Sequence, residues 1–327
     1  MTMTSLRYCL LSCLLVSAAA AQNLSFIPAS FVDIGFGARP VALGGAFAGV
    51  QNDVNTMMWN PAGLASLAKK EATFSYTNQL GLIVYQSAGV AFPLDTNGRA
   101  IGIAAISSGD RALKELTIQA TYAQTVTSEL QLGVTAKYRN ATFGNNSLNA
   151  ADYFVFEPDE ITDGMAQQIK GSANGFGFDA GVLYTPSRKI SFGVTAHDFF
   201  APVMWNSKTA SSPLNAKGKY SESLPIEVVA GTSILPLENL MVNVDFSPAV
   251  STTVSNKLRA GAELTLLKIV ALRGGVQKYS NNDAGTSYAF GIGINAPVVK
   301  NYRAIVDYTY LHELLAATQR LSVGVEF

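Results

Sequence analysis

Histidines, cysteines and paired carboxylates are the groups from which most catalytic and metal sites are built, and this sequence holds few of them. The two histidines, His197 and His312, are far apart, and neither has a second histidine or a cysteine at metal-ligand spacing. His197 and Asp198 are adjacent, so in a strand their side chains would point to opposite faces. The sequence therefore predicts no metal site, no catalytic residues, no cofactor and no enzymatic activity.

Both cysteines, Cys9 and Cys13, lie in a predicted signal peptide. Arg7 precedes a short apolar run, residues 10–16, and four consecutive alanines follow, which predicts a leader that spans residues 1–21 and is cleaved after it. Lipoprotein processing at Cys13 is the alternative. Cleavage would leave a mature chain without cysteine, so disulfides and thiolate chemistry are excluded from it.

A stretch rich in glycine and alanine, residues 22–70, holds further candidates. A glycine pair at positions 44 and 45 could cradle a phosphate, but no Gly-Lys-Ser/Thr follows, so close packing of backbone is the favoured interpretation. The Asn-Pro-Ala-Gly motif at 60–63 could line a ligand site or act as a hatch switch; the alternative is a turn, which Asn-Pro favours. The ligand or hatch candidates are Gly44, Gly45, Trp59, Asn60, Pro61 and Gly63.

Ionisable residues recur on one face of the predicted strands, opposite the apolar side chains. They could form a substrate pathway, or they could brace the inside of a barrel as a network of ion pairs. Their mixed signs favour bracing, because a selective ion pore would show one sign. The predicted lumenal charge network consists of Lys137, Arg139, Asp179, Asp245, Arg259, Glu263, Arg273, Arg303 and Asp307, and His197 and Glu326 face the same way.

Alternation of apolar and polar residues with a period of two predicts the fold. Residues 174–186 and 286–297 show it clearly, with Phe, Tyr and Ile at every second position. Such strands are longer than the five or six residues usual in globular proteins and match strands that cross a bilayer. The predicted strands are residues 71–79, 81–93, 98–108, 115–126, 129–142, 174–186, 189–200, 224–236, 239–248, 256–266, 269–279, 286–297, 300–311 and 318–327.

Composition agrees with a membrane barrel. Charged residues make up 14% of the chain, and beyond the predicted leader no apolar run is long enough for a membrane helix. The net charge of +0 gives no sign of a nucleic-acid partner. We therefore predict an all-β protein: an antiparallel transmembrane barrel of about fourteen strands over residues 71–327, in contact with outer-membrane lipid.

Two long connections, residues 143–173 and 201–223, are predicted to be extracellular loops, where partner contacts are expected. Residues 22–70 do not alternate, and irregular backbone cannot face lipid because its polar groups would lack partners. We predict that this segment folds inward from the periplasmic side as a plug, or hatch.

The N-terminal motifs resemble a known family. Residues 37–50 (GARPVALGGAFAGV), 52–55 (NDVN) and 59–65 (WNPAGLA) are similar to the opening of PorV/PorQ-family outer-membrane proteins. The sequence departs from that family at Asn52, where an acid is usual. The resemblance implies a relationship to FadL-type fatty-acid channels, which are fourteen-stranded barrels with an N-terminal hatch.

Three functions follow from these patterns. The resemblance implies a docking, shuttle or scaffold role in type IX secretion, with a secreted cargo or cell-surface protein as partner. The FadL relationship implies diffusive transport of a hydrophobic small molecule instead. A purely structural role without any ligand is the third.

The sequence makes one prediction that is independent of function. After removal of the leader, the protein should need detergent to stay dispersed and should give a β-sheet circular-dichroism spectrum. A chain that is freely soluble and monomeric without detergent, or a helical spectrum, would contradict it.

Overall fold

The computed structural model describes residue 31 and residues 34–79, 81–110, 112–144, 169–209, 217–250, 255–280, 285–299, 301–314 and 316–327. The predicted leader therefore lies outside the described residues, as does most of the predicted loop 143–173. Among the residues that are described, no helix is long and apolar enough to cross a membrane.

Sixteen antiparallel strands are present in the described part of the chain. They are β1 (Glu71–Gln79), β2 (Ile83–Pro93), β3 (Arg99–Gly109), β4 (Leu113–Thr125), β5 (Leu130–Phe143), β6 (Ile169–Ser187), β7 (Ile190–Phe200), β8 (Pro202–Thr209), β9 (Lys217–Ser223), β10 (Glu227–Leu237), β11 (Leu240–Ser247), β12 (Lys257–Leu266), β13 (Val270–Tyr279), β14 (Thr286–Val299), β15 (Tyr302–His312) and β16 (Ala317–Glu326). All but β8 and β9 close into a barrel, in which β1 pairs with β16, β5 with β6, and β7 with β10.

The prediction of a fourteen-stranded antiparallel barrel is confirmed. Each predicted strand overlaps an observed one, and the largest difference is at β6, which begins at Ile169 instead of residue 174. Residues on these strands alternate between two environments, which is why the period of two located them.

A hairpin extends one side of the barrel wall. β8 pairs with the first part of β6, from Ile169 opposite Thr209 to Gly175 opposite Val203, and β9 pairs with β8. We call β8 and β9 the raised hairpin. The prediction of a loop over residues 201–223 is wrong for the described part of that range. β9 is polar at almost every position, so the apolar alternation that predicts a strand is absent there.

The outer face of the barrel is apolar and exposed. On β14, Tyr288, Phe290, Ile292 and Ile294 are 46–62% exposed, whereas Ala289 between them is fully buried. A soluble monomer rarely exposes a continuous apolar surface of this extent, but a membrane barrel presents it to lipid.

The two chain termini of the barrel meet at one end. Glu71 pairs with Glu326, and the backbone N–H of Phe327 donates to the carbonyl of Lys70 at 2.9 Å. By the strand bounds, every connection between strands at this end is at most five residues long, including residues 94–98 between β2 and β3, whereas the longest connections lie at the opposite end. Short turns are periplasmic in such barrels, so the opposite end, with the raised hairpin, faces the cell exterior.

Glycines on the inner face bring the wall close to the backbone of the N-terminal segment. A Cβ on Gly193 would lie 1.8 Å from the carbonyl oxygen of Ala48, and one on Gly133 would lie 2.3 Å from the carbonyl carbon of Pro61. On β13, a Cβ on Gly275 would lie 2.1 Å from the nitrogen of Gly44. The neighbouring Gly274 faces outward and has no atom within 4 Å of the corresponding position.

This pair of neighbouring glycines provides a matched test. Gly275→Ala should destabilise the protein by about 1–3 kcal/mol, because two backbones must move apart to admit a methyl group. Gly274→Ala should change stability by less than about 0.5 kcal/mol. Urea unfolding in detergent micelles measures both, and equal effects would contradict the close inner contact.

Candidate functional site

The described part of the N-terminal segment lies against inward-facing side chains of the barrel. We call residues 34–70 the lumenal segment; residues 22–30 of the predicted plug lie outside the described residues. The lumenal segment contains two short helices, α1 (Ala38–Ala42) and α2 (Thr56–Trp59), and a 3-10 helix (Pro61–Ser66). Most of its residues from Ala38 to Leu67 are buried.

Side chains of the wall satisfy the irregular backbone of the lumenal segment. One carboxylate oxygen of Asp245 accepts from the N–H groups of both Phe47 and Ala48, each at 2.8 Å. The neighbouring inward residue, Asn243, donates to the carbonyl of Ala46 at 3.0 Å. Buried backbone groups need such partners, so these contacts hold the segment in one conformation.

Further contacts of the same kind come from other strands. Ser322 on β16 accepts from the N–H of Ala38 at 2.8 Å, and Thr309 on β15 donates to the Ala38 carbonyl at 2.6 Å. Ser191 on β7 donates to the carbonyl of Gly49 at 2.6 Å. The segment is therefore tied to both sides of the barrel.

The Asn-Pro-Ala-Gly motif forms a turn that packs against the wall. Asn60 is fully buried; its oxygen accepts from the N–H of Ala62 at 3.1 Å and its amide donates to the carbonyl of Ala48 at 2.7 Å. Pro61 occupies the first turn of the 3-10 helix, where its missing N–H costs nothing. A Cβ on Gly63 would lie 2.4 Å from the carbonyl oxygen of Val50. These contacts account for the motif as a structural turn.

The remaining hatch candidates also make packing contacts. Gly44 and Gly45 have positive φ of 66° and 75°. Gly44 lies against the backbone of Val276, and Gly45 lies beside the ring of Trp59. The indole N–H of Trp59 donates to the carbonyl of Phe36 at 2.9 Å. Close backbone packing, rather than a phosphate cradle, is thus what surrounds the glycine pair.

Asn52 occupies a position where the PorV/PorQ family usually has an acid, and both its backbone and its side chain contribute to the local structure. Its backbone φ is +56°, a conformation that Asn adopts more readily than most residues. Its side-chain oxygen accepts from the N–H of Ala68 at 2.9 Å. The side-chain amide of Asn52 therefore supplies the hydrogen-bond acceptor at this position.

A chain of ion pairs joins the lumenal segment to the wall. Arg39 lies 2.6 Å from Asp53 within the segment and 2.7 Å from Glu263 on β12. Arg273 on β13 continues the chain, at 2.6 Å from Glu263 and 2.5 Å from Asp307. We call these five residues the Arg39 network. Burial lowers the pKa of Arg39, but the carboxylates of Glu263 and Asp53 raise it by more than burial lowers it. The pKa of Arg39 therefore lies well above its ordinary value, and the side chain keeps its charge.

A second charged cluster lies on the inner wall, closer to the exterior end of the barrel than the Arg39 network. Lys137 is 2.8 Å from Asp179 and Arg139 is 2.8 Å from Asp198. His197 is 3.3 Å from Asp179. The prediction that His197 and Asp198 point to opposite faces is wrong. β7 bulges between the pairs Phe178–Phe200 and Ala180–Ala196, and Asp198 has φ +54°, so both side chains face inward.

The other predicted lumenal charges belong to neither cluster. Arg259 pairs with Glu227 at 2.9 Å, and Lys257 pairs with the same carboxylate. Arg303 donates to the side chain of Asn295 at 2.7 Å, and Asp245 binds the backbone of the segment as described above. The residues predicted as one network therefore form separate groups, whose functional role stays a prediction.

Arg39 and Asp53 were not among the predicted site residues, although the sequence contains a signal for them. Arg39 is the only basic residue between positions 22 and 68, in a stretch that is otherwise almost uncharged. A charge predicted to lie inside a barrel needs a partner of opposite sign. That requirement predicts a carboxylate contact but not which carboxylate.

A polar cavity of about 310 Å³ lies beside the Arg39 network, toward the periplasmic end. Arg39, Glu71, Lys268 and Asp307 are among the residues that line it. Sites for hydrophobic ligands are lined mainly by apolar side chains. This cavity suits water and ions better than a hydrocarbon. Among the described residues, no group of three or more His, Cys, Asp or Glu side chains is placed to hold a metal ion.

Comparison with known proteins identifies the family. The family model for the type IX secretion system membrane protein PorP/SprF matches residues 51–314. The chain belongs to the PorP/SprF family. The match includes the second half of the lumenal segment and strands β1–β15. It bears out the predicted link to type IX secretion, while the narrower PorV/PorQ resemblance stays a prediction. No curated protein sequence matches the chain significantly.

Solved structures show the same barrel fold. The chain is similar to the CymD monoaromatic hydrocarbon channel, with a TM-score of 0.59, 14% identity and coverage of 91% of this chain and 98% of that one. The toluene transporter TodX of Pseudomonas putida gives 0.58, 12%, 89% and 97%. A Pseudomonas aeruginosa FadL homologue gives 0.58, 11%, 86% and 95%. At these identities the likeness concerns the fold alone. This PorP/SprF-family chain is thus an outer-membrane β-barrel of FadL-like fold.

The Arg39 network yields a stability prediction. Arg39→Met leaves Asp53 without its cation inside the barrel, so it should destabilise the protein by about 3 kcal/mol and expose the lumenal segment to added protease. Arg99→Gln is the control, because the Arg99–Asp95 pair lies at the exposed β2–β3 turn and such pairs contribute little. Limited proteolysis in detergent compares them, and equal cleavage of both variants would contradict the role of Arg39.

Proposed function

We propose that this PorP/SprF-family barrel is a docking or scaffold component of type IX secretion and that its lumen stays closed during function. The observation that carries the proposal is the attachment of the lumenal segment to opposite sides of the wall. Its backbone is bound by Ser191 on β7, Asp245 on β11 and Ser322 on β16. A docking role tolerates such a sealed lumen, whereas a transport route would have to break these bonds.

The partner would be a secreted cargo or a cell-surface protein. The PorV/PorQ resemblance of residues 37–65 supports this choice, because some members of that family carry cargo or anchor a partner in type IX secretion. The raised hairpin supports it structurally, because it extends the wall on the exterior side. The role needs no catalytic group and no cofactor, and export through a cleaved leader, residues 1–21, would deliver the chain to the outer membrane.

Diffusive transport of a hydrophobic molecule is the alternative. The similar structures include a monoaromatic hydrocarbon channel and a toluene transporter, but these functions belong to those proteins, which are 14% and 12% identical to this chain. The cavity beside Arg39 is lined by charged residues and does not favour an apolar ligand. The two functions differ in one physical requirement, because only transport needs the lumenal segment to move.

A disulfide tether tests that requirement. The N–H of Ala38 lies 2.8 Å from the hydroxyl of Ser322. This contact limits the separation of the two Cα atoms to about 7 Å, the upper end of what a disulfide spans, so the double variant Ala38→Cys/Ser322→Cys should cross-link the segment to β16. The only native cysteines are Cys9 and Cys13, so the added pair is unambiguous once the leader is removed. For a scaffold, cross-linked protein should support secretion of type IX cargo in a deletion strain as well as wild type.

The controls are the same double variant under reducing conditions and the single Ser322→Cys variant. A secreted or surface protein should co-purify with both the oxidised and the reduced protein. Loss of secretion only in the oxidised state would overturn the closed-lumen proposal. Co-purification of lipid without any protein, together with hydrophobic uptake that the tether blocks, would establish transport instead.

A further inference from the structure

Five lysines cluster on the outward face of the wall at its exterior end. Lys170 on β6, Lys208 on β8 and Lys217 on β9 stand directly opposite one another across three strands. Lys219 lies two residues along from Lys217, and Lys114 is at the exterior end of β4. We call these five residues the basic strip.

The register places the basic strip on the lipid-facing side. In antiparallel strands, directly paired residues point to the same side, and so do residues two apart. Lys170 therefore shares a face with Phe176 on β6, and Lys208 shares a face with Met204 on β8, which are 57% and 61% exposed. Lys114 belongs to the same face, because it pairs with Thr142 on β5, which pairs with Ser172 on β6.

The outward face changes from apolar to polar to basic with height. Tyr138 and Phe176 contact each other at the top of the apolar band, and the Tyr138 hydroxyl donates upward to Asn174 at 2.8 Å. Thr142 and Ser172 follow as a pair above that level. Lys170 is six residues from Phe176, which is about 20 Å along the strand. The strip thus stands above the acyl chains, at the level of the charged headgroups and sugars of the outer leaflet.

The basic strip has no counter-charge in the described residues. The outward positions of β4, β5, β6, β8 and β9 carry no Asp or Glu, and none of the five lysines forms an ion pair within the described ranges. Glu222 of β9 points to the other face, where it accepts from the indole of Trp205 at 2.6 Å. Like charges directly opposite on neighbouring strands are unfavourable, so an anion bound between these lysines would stabilise the row.

Protection of a sheet edge accounts for part of the strip only. Lysines on an exposed edge strand hinder unwanted strand pairing, and this explains Lys217 and Lys219 on β9. Lys114 and Lys208 have paired residues on both sides, where no edge needs protection, and Lys170 lies on β6 one residue beyond the end of its pairing with β5. Lys170, Lys208 and Lys217 lie about 5 Å apart across the row, a spacing that suits phosphate groups, which lysine binds as a point charge.

We propose that the basic strip binds phosphate groups of outer-leaflet lipopolysaccharide and so fixes the height and rotation of the barrel in the membrane. Lipid is favoured over an acidic protein because the strip continues a face that contacts lipid along the rest of its length. The inference does not depend on the proposed secretion role. Clusters of basic residues next to a bilayer bind anionic lipids in this way.

The test measures lipopolysaccharide binding to the purified full-length mature protein in detergent. The variant Lys170→Gln/Lys208→Gln/Lys217→Gln should bind lipopolysaccharide at least about tenfold more weakly than wild type, because three charges near the anionic groups are lost. The matched control, Lys70→Gln/Arg188→Gln/Lys189→Gln, removes three positive charges at the periplasmic end and should bind as wild type does. Replacing the first three lysines with arginine should restore binding, which also shows that the fold tolerates changes there.

Binding measurements with different ligands distinguish lipid-linked phosphate from free phosphate. Wild-type protein should bind intact lipopolysaccharide more tightly than chemically dephosphorylated lipopolysaccharide, and inorganic phosphate should compete only weakly because it lacks the membrane anchor. Equal binding of the two lipopolysaccharides, or unchanged binding by the glutamine variant, would overturn the proposal. Tighter binding of polyglutamate than of lipopolysaccharide would also overturn it, in favour of an acidic polypeptide.

Discussion

Irregular backbone inside a closed barrel can be stable only if the wall supplies its hydrogen-bond partners, and this constraint shapes the whole interior. The lumenal segment meets it with wall side chains that bind its main chain, above all Asp245, which accepts from two consecutive N–H groups. The same constraint requires close approach. Gly193 and Gly275 are placed where the wall faces segment backbone, and any side chain there would occupy the space of a carbonyl or an amide.

The buried charges follow from the same arrangement. A cation carried into the barrel on an almost uncharged segment must meet carboxylates, and Arg39 meets one from the segment and one from the wall. Mixed signs in the Arg39 network and around Asp198 give local neutrality instead of the single-sign lining of a selective pore. The bonding inside such a lumen resembles that of a protein core. An interior of this kind suits the proposed docking role, in which the protein acts through its surface.

The outer face of the barrel meets a different environment at each height, and its side chains change accordingly. Apolar side chains such as Phe176 and Phe290 face the hydrocarbon, a tyrosine hydroxyl marks its upper boundary, and lysines stand above it. The raised hairpin extends this gradient beyond the rim, because β8 and β9 prolong the wall that β6 and β7 begin. Membrane contact and exterior contact are thus parts of one continuous surface.

The sequence by itself determined the barrel strands, because alternation along a strand is a local property that each segment carries alone. It also indicated an inward-folded segment, because residues 22–70 lack alternation and are largely uncharged. Only the tertiary structure decided which partners meet. The bulge that turns Asp198 inward, the choice of Glu263 for Arg39, and the row of Lys170, Lys208 and Lys217 all depend on strand register. Register is set by pairing between residues far apart in the chain, so no local pattern contains it.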